Sequence, residues 1–185
     1  VPDLADQLDR GILQLHSSVY KNPAQLRPGR VLVVGASHSG GDIAYEAGRA
    51  GHPTVLSGRI HGEVPFDIEG RPAQVIFPVL LLVAKHLLTT STPVGRKLRP
   101  EVRRHGGPLI RVKRADLARA GVELAPARTV GARDGRPLLE DRRVVGAANV
   151  VWCTGFRQEF GLVRPDPTGD DGYPRGDGGI VEDLP

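Results

Sequence analysis

One stretch constrains the chain more than any other: residues 30–59, RVLVVGASHSGGDIAYEAGRAGHPTVLSGR. Val31–Val34 is wholly aliphatic and ends on Gly35. A run that short, rich in β-branched residues and bounded by glycine, predicts a strand buried on both faces. The turn Gly35-Ala36-Ser37-His38-Ser39-Gly40 follows, then Ile43, Ala44, Ala47 and Ala50 at helical spacing. Gly51 stops that helix, and a second strand is predicted over residues 54–56. Strand, glycine turn, helix and strand form the opening βαβ unit of a dinucleotide-binding domain.

The chemistry needs these residue types at this spacing. Gly35 lets the chain turn sharply off the strand, and Gly40 lets helix and strand pack closely. The middle position must be small so that the backbone can approach a pyrophosphate; here it is Ser37 instead of glycine. A helix starting near Ser39 points unpaired N–H groups and the positive end of its dipole at phosphate oxygens. Ala36 and His38 complete the turn. The plainer alternative is a glycine turn in an α/β domain that binds nothing there.

Beyond the end of the second strand the chain has no acid between Thr54 and Ile60. An Asp or Glu there would accept hydrogen bonds from the ribose hydroxyls of NAD. Ser57 stands at that position and Arg59 two residues on. A serine does not repel a 2′-phosphate, and an arginine offers it a forked, permanently charged donor set. The pair predicts NADP(H) over NAD(H); the alternative for Arg59 is a solvated arginine at a strand end.

With 185 residues the chain is long enough for one ordinary domain. It contains no methionine, so Val1 is not an initiator, and the sequence is expected to be a piece of a longer protein. The single cysteine, Cys153, excludes an internal disulfide and fits a reducing cytoplasm. Lys and Arg total 25 against 21 Asp and Glu, with the basic residues concentrated over 96–119. No aromatics interleave with that segment, which argues against nucleic acid as a partner.

Elsewhere the pattern is weaker. Leu4, Leu8, Ile12 and Leu15 have helical spacing, predicting an amphipathic helix over residues 1–15, and residues 16–28 read as a connector. His16 has no second metal ligand at a suitable spacing, so a structural role is expected. Residues 75–88 (VIFPVLLLVAKHLL) are too short to cross a bilayer and carry Lys85. They predict a helix buried in a core or under a further domain, with membrane-surface contact as the lesser reading. A short helix over 115–120, a strand over 122–124 and a hairpin turning on Asp134-Gly135 follow. A third strand near 142–145 would complete a meander, and residues 149–153 (NVVWC) return as a buried strand. Residues 1–29 are thus expected to be a helix and connector, 30–157 a nucleotide domain, and 158–185 a tail rich in Gly, Pro and Asp.

These motifs together resemble the pyridine-nucleotide domain of two-dinucleotide-domain flavoproteins, above all the flavin-containing monooxygenases and their bacterial relatives. His16-Ser17-Ser18-Val19-Tyr20-Lys21-Asn22-Pro23 is similar to that family's His-x-x-x-Tyr segment. The aromatic and the glycine that the family places before this histidine are replaced by Arg10 and Ile12. Val150-Val151-Trp152-Cys153-Thr154-Gly155-Phe156 resembles the family's strand ending in Ala-Thr-Gly-Tyr. The resemblance implies an α/β fold: a Rossmann-like parallel sheet with helices on both faces and a β-meander crossover. It implies NADP(H) as the cofactor of this part, with Thr154 and Gly155 also at the site, and FAD in the intact protein. The FAD domain would then be a partner lying outside this sequence, and a small molecule would be the substrate. No residue here is a candidate acid, base or nucleophile. Two alternatives stay open: a dinucleotide-binding piece without catalysis of its own, and part of a disulfide reductase-type flavoprotein, although no C-x-x-C pair is present.

Overall fold

Five four-residue strands carry the fold in this computed structural model. It describes residues 2–64, 107–156 and, outside those runs, residues 66, 70, 76, 78–79, 81–82, 86, 92–93, 169, 176–177 and 180–181. The five strands are β1 (Leu13–His16), β2 (Val31–Val34), β3 (Thr54–Ser57), β4 (Val122–Ala125) and, after an intervening hairpin, β7 (Asn149–Trp152). They pair in parallel in the order β1-β7-β2-β3-β4. Every residue of β2, β3 and β7 is buried, as their apolar sequences require of a parallel sheet covered on both sides.

Side chains alternate between two cores. Val31, Val33, Leu56 and Val151 face α1 (His38–Arg49) and α2 (Arg114–Arg119), meeting Ile43, Ala44, Ala47 and Leu117. Leu32, Val34, Val55, Val150 and Trp152 face the opposite way, toward Ala5 and Leu8 beside a 3-10 helix over Asp3–Gln7. Leu139 joins that second core from the hairpin of β5 (Thr129–Arg133) and β6 (Arg136–Leu139). The hairpin turns on Asp134 and Gly135, both at positive φ (51° and 71°), as an Asp-Gly turn of this kind demands. Val144 adds an antiparallel bridge to Leu138, the trace of the third meander strand. The Rossmann-like α/β architecture with its parallel sheet is the expected one; among the described residues, though, both α-helices pack on one face, the hairpin and the 3-10 helix cover the other, and the meander is a two-stranded hairpin with one added bridge.

The N-terminal segment differs from its expectation. Residues 1–15 do not form one amphipathic helix; a 3-10 helix over Asp3–Gln7 gives way to β1, the edge strand beside β7. Leu4 and Leu8 do pack inward, but Gly11 interrupts the period, and the open edge of β7 recruits the next residues as strand. Gln14 stitches this junction: its amide donates to the Ala5 carbonyl (3.0 Å), and its carbonyl accepts from the buried Trp152 indole N–H (3.0 Å). Asn149 is fully buried and satisfied by the connector, accepting from Arg27 N (2.8 Å) and donating to Arg27 O (2.9 Å).

By its contacts the chain divides into two units, Val1–Glu69 with Gly106–Thr154, and Gly70–His105 with Gly155–Pro185. In the second unit β8 (Gly176–Asp177) and β9 (Ile180–Val181) pair antiparallel. Within residues 75–88, positions 76, 78, 79, 81, 82 and 86 are helical and the remainder lies outside the described residues. Ile76, Val79, Leu81 and Leu82 are exposed, so these positions do not sit in a core of this chain, and of the two expectations the one left is a helix lying under a further domain. Most of the tail over 158–185 also lies outside the described residues. No helix among the described residues is long and apolar enough to cross a membrane.

Candidate functional site

In the strand order, β2 has β3 on one side and the late strand β7 on the other, so the chain reverses direction across the sheet between β2 and β7. Open α/β sheets bind ligands outside the carboxyl ends of the strands at such a reversal. The glycine turn leaves β2 at that point. Gly35 has φ 108°, and its N–H donates to the Ser57 carbonyl of β3 (2.8 Å). A β-carbon on Gly35 would fall 2.2 Å from the carbonyl oxygen of Cys153. A β-carbon on Gly40 would fall 1.7 Å from the carbonyl oxygen of Gly35. The glycines therefore let strand end, turn and helix start lie against one another.

Helix α1 begins at His38, with Ser37 as its N-cap. The Ser37 side chain makes no capping bond, and Ser37, His38 and Ser39 are partly or fully exposed while Ala36 and Gly40 are buried. The first turn has no acidic residue to occupy its N–H groups. His38 Nε2 lies 3.5 Å from Asp42 Oδ2 one turn on, and Arg111 Nη2 lies 3.9 Å from the same oxygen. Asp42 thus takes up both side chains, and the helix N-terminus itself, with its unpaired N–H groups and dipole, is the part suited to an anion.

Beneath the turn lies Cys153, whose thiol burial pushes up to about 12. Thr154 follows it and is exposed; Gly155 has φ 88° and opens the second unit. Tyr20 of the His-x-x-x-Tyr segment packs against α1 and donates to Glu46 Oε2 (3.4 Å). Burial, then the Glu46 charge, raise its phenol well above the usual range. His16 Nδ1 accepts from Ser18 N (3.2 Å), the structural role expected of it.

The second part of the predicted site behaves differently. Ser57 is buried, and its hydroxyl donates to the Ala127 carbonyl (2.9 Å) and lies 2.9 Å from Thr129 Oγ1. Even numbers along β3 and odd ones face opposite cores, so this side chain points into the hairpin side and is not available to a 2′-phosphate. Arg59, by contrast, is 60% exposed. It lines a cavity of about 340 Å³ with Leu56, Gly58, Ile60, Arg114, Leu124 and Pro126. The walls are aliphatic, and two guanidinium-bearing residues share the lining. Arg114 and Glu140 are residues that sequence reasoning missed; Glu140 Oε2 lies 3.8 Å from Arg59 Nη2. Neither has a local signal, because each reaches β3 from far along the chain.

Residues 10–90 match the family described as FMO-like, Flavin-binding monooxygenase-like. The chain resembles that family. Two curated relatives agree: the uncharacterized oxidoreductase CzcO-like of Geobacillus kaustophilus, 27% identical over 89% of this chain, and the uncharacterized oxidoreductase CzcO of Bacillus subtilis, 28% identical over 85%. The alignments take in 45% and 44% of those relatives, so the chain spans a little under half the length of the curated relatives it matches. Among solved structures, the flavin-containing monooxygenase of Stenotrophomonas maltophilia superposes with a TM-score of 0.57 at 18% identity, covering 96% of this chain and 45% of that one. At that identity the likeness establishes the fold alone.

Proposed function

We propose that this chain is the NADP(H)-binding portion of an FAD-dependent, monooxygenase-like oxidoreductase. The observation that carries the reading is the contact between Gly40 and Gly35 at the reversal point of the sheet, where no β-carbon fits. That packing aims the amides of α1 outward from the ends of β2 and β7. Ser37, His38 and Ser39, partly open there, are placed to hold a pyrophosphate, with Thr154 at the neighbouring strand end. The aliphatic cavity beyond β3 takes the adenosine, with adenine against Ile60 and Pro126 and a 2′-phosphate on Arg59. The volume sits at the low end of the roughly 300–1,000 Å³ usual for small-molecule sites. Ser57 has no part in that contact, since its hydroxyl is committed to the hairpin.

In the whole protein the nicotinamide supplies a hydride and FAD supplies the oxygen chemistry. This chain's residues bind and orient the nucleotide, and an FAD domain is the partner of this portion in the whole protein. The setting consistent with a lone reduced cysteine is the cytoplasm.

Calorimetric titration of the purified chain with NADP⁺ and NAD⁺ tests the reading. One NADP⁺ per chain should bind, and Arg59→Ala should weaken it about tenfold, allowing for solvent screening of an exposed charged contact. Failure of both nucleotides to bind at millimolar concentration would count against nucleotide binding. Equal NADP⁺ affinity in wild type and Arg59→Ala would remove Arg59 from the site.

A further inference from the structure

We infer that Glu140 is a second determinant of coenzyme choice, opposing the 2′-phosphate and serving the ribose hydroxyls that the end of β3 leaves without a carboxylate. The inference rests on the nucleotide reading above. Its starting point is an ion pair: Glu140 Oε2 stands 3.8 Å from Nη2 of Arg59, and Arg59 lines the cavity. The local sequence has no acid between Thr54 and Ile60, yet the fold delivers one from the far side of the hairpin.

Its delivery is well fixed. Leu139, next to it, is buried, and its N–H donates to Arg143 O (2.8 Å). The Glu140 N–H donates to Arg128 O (2.8 Å). The main chain is therefore held while the side chain, 50% exposed, can swing. Neighbouring carboxylates are occupied otherwise. Glu123 and Asp141 both pair with Arg143, and Glu63 accepts from the Arg114 backbone N–H (3.1 Å). Among the described residues, Glu140 is the acid that faces Arg59.

The two residues make opposite demands on a nucleotide. A 2′-phosphate must take Arg59 from Glu140 and then sit beside a like charge, which costs affinity. A free 2′-hydroxyl has no claim on the guanidinium but is a good donor to a carboxylate, the role an acid at the end of this strand plays in NAD-preferring folds. Arg59 favours the phosphorylated coenzyme and Glu140 the other. The chain is thereby poised to take both, with NADP(H) favoured by less than Arg59 alone would give.

The test is Glu140→Gln, titrated alongside wild type with NADP⁺, NAD⁺, 2′-phosphoadenosine and adenosine. The substitution should tighten the two 2′-phosphorylated probes about two- to tenfold, the reach of one exposed charge. NAD⁺ should bind equally or more weakly, and the melting temperature should be unchanged because both side chains are exposed. The gain should shrink in high salt. Unchanged NADP⁺-to-NAD⁺ ratios in a variant that still binds nucleotide would overturn the role of Glu140 alone. Absence of any nucleotide binding to wild type would defeat the nucleotide reading and this inference with it.

Discussion

The carbonyl oxygen of Gly35 lies 1.7 Å from the point that a β-carbon on Gly40 would occupy. Backbone stands on one side of this contact and helix on the other, so no flexible side chain can give way. Gly40→Ala must push α1 off the turn. The expected cost is about 3 kcal/mol or more, a fall in melting temperature of roughly 10 °C, with nucleotide affinity lost in parallel. Gly146→Ala is the control, because a β-carbon there meets nothing within 4 Å and its φ is not positive. Thermal melts of both variants decide it: equal, small shifts would mean that the helix is not seated as described.

Ser57→Ala should act on stability and leave nucleotide affinity within about twofold. It removes the donor to Ala127 O and deprives Thr129 Oγ1 of its neighbour, inside a part-buried contact between β3 and the hairpin. Leaving such a buried acceptor unmet costs about 1–3 kcal/mol. Urea unfolding and an NADP⁺ titration separate the two effects. A large loss of affinity at unchanged stability would return the hydroxyl to the ligand.

Lys113 clamps two loops. Its ammonium donates to Val64 O (2.6 Å), Ile110 O (2.6 Å) and Phe66 O (3.3 Å). The same loops exchange backbone bonds from Val64 N to Leu109 O and from Leu109 N to Gly62 O, both 2.9 Å. Lys113→Met keeps the stem and removes the charge. It should cost about 1.5–3 kcal/mol, the range for hydrogen bonds to a charged group. Hydrogen exchange would locate the loss: the amides of Val64 and Leu109 should lose protection first, and a uniform change across the sheet would refute the local clamp.

Cys153 makes the fold sensitive to alkali. Its thiol is pushed up to about 12 from 9.0 by burial. The folded thiol keeps its proton where the unfolded one has lost it, so unfolding releases a proton at high pH. This contribution is fully present below pH 9.0 and is lost as pH rises toward about 12. Cys153→Ala should flatten that part of the stability profile measured by denaturant titration. At pH 8 the native thiol should react with iodoacetamide far more slowly than a free one. Rapid labelling of native protein would show that the thiol is not buried.

What could be read from the sequence follows the distance over which each contact acts. The βαβ unit was legible because Val31–Val34, the glycine turn and the spacing of Ile43, Ala44 and Ala47 carry their own short-range instructions. Only the helix start moved, from Ser39 to His38. The Asp134-Gly135 turn was legible for the same reason, since few residue pairs accept two positive φ values. Residues 13–16 became strand because of a partner at 149–152 that no local pattern can announce. The bonds of the Ser57 hydroxyl are not legible, because a position at a strand end says nothing about Ala127 and Thr129 on the hairpin side. Arg59 was legible as a charge at that end, and the Glu140 that meets it was not.

Strand β7 fits between β1 and β2, two strands laid down more than a hundred residues earlier. As the chain leaves the ribosome, β1 and β2 therefore emerge with a vacancy between them that nothing nearby in sequence can fill. The vacancy is lined by unpaired backbone on both sides and by side chains destined for the interior. Closing it demands a long-range parallel pairing, the slowest kind of event in assembling a sheet. The strand that closes it, Asn149–Trp152, is also among the most buried parts of the protein. Any nascent chain halted before residue 149 is thus a sheet with a missing middle, whose unpaired edges are open to other strands until synthesis resumes.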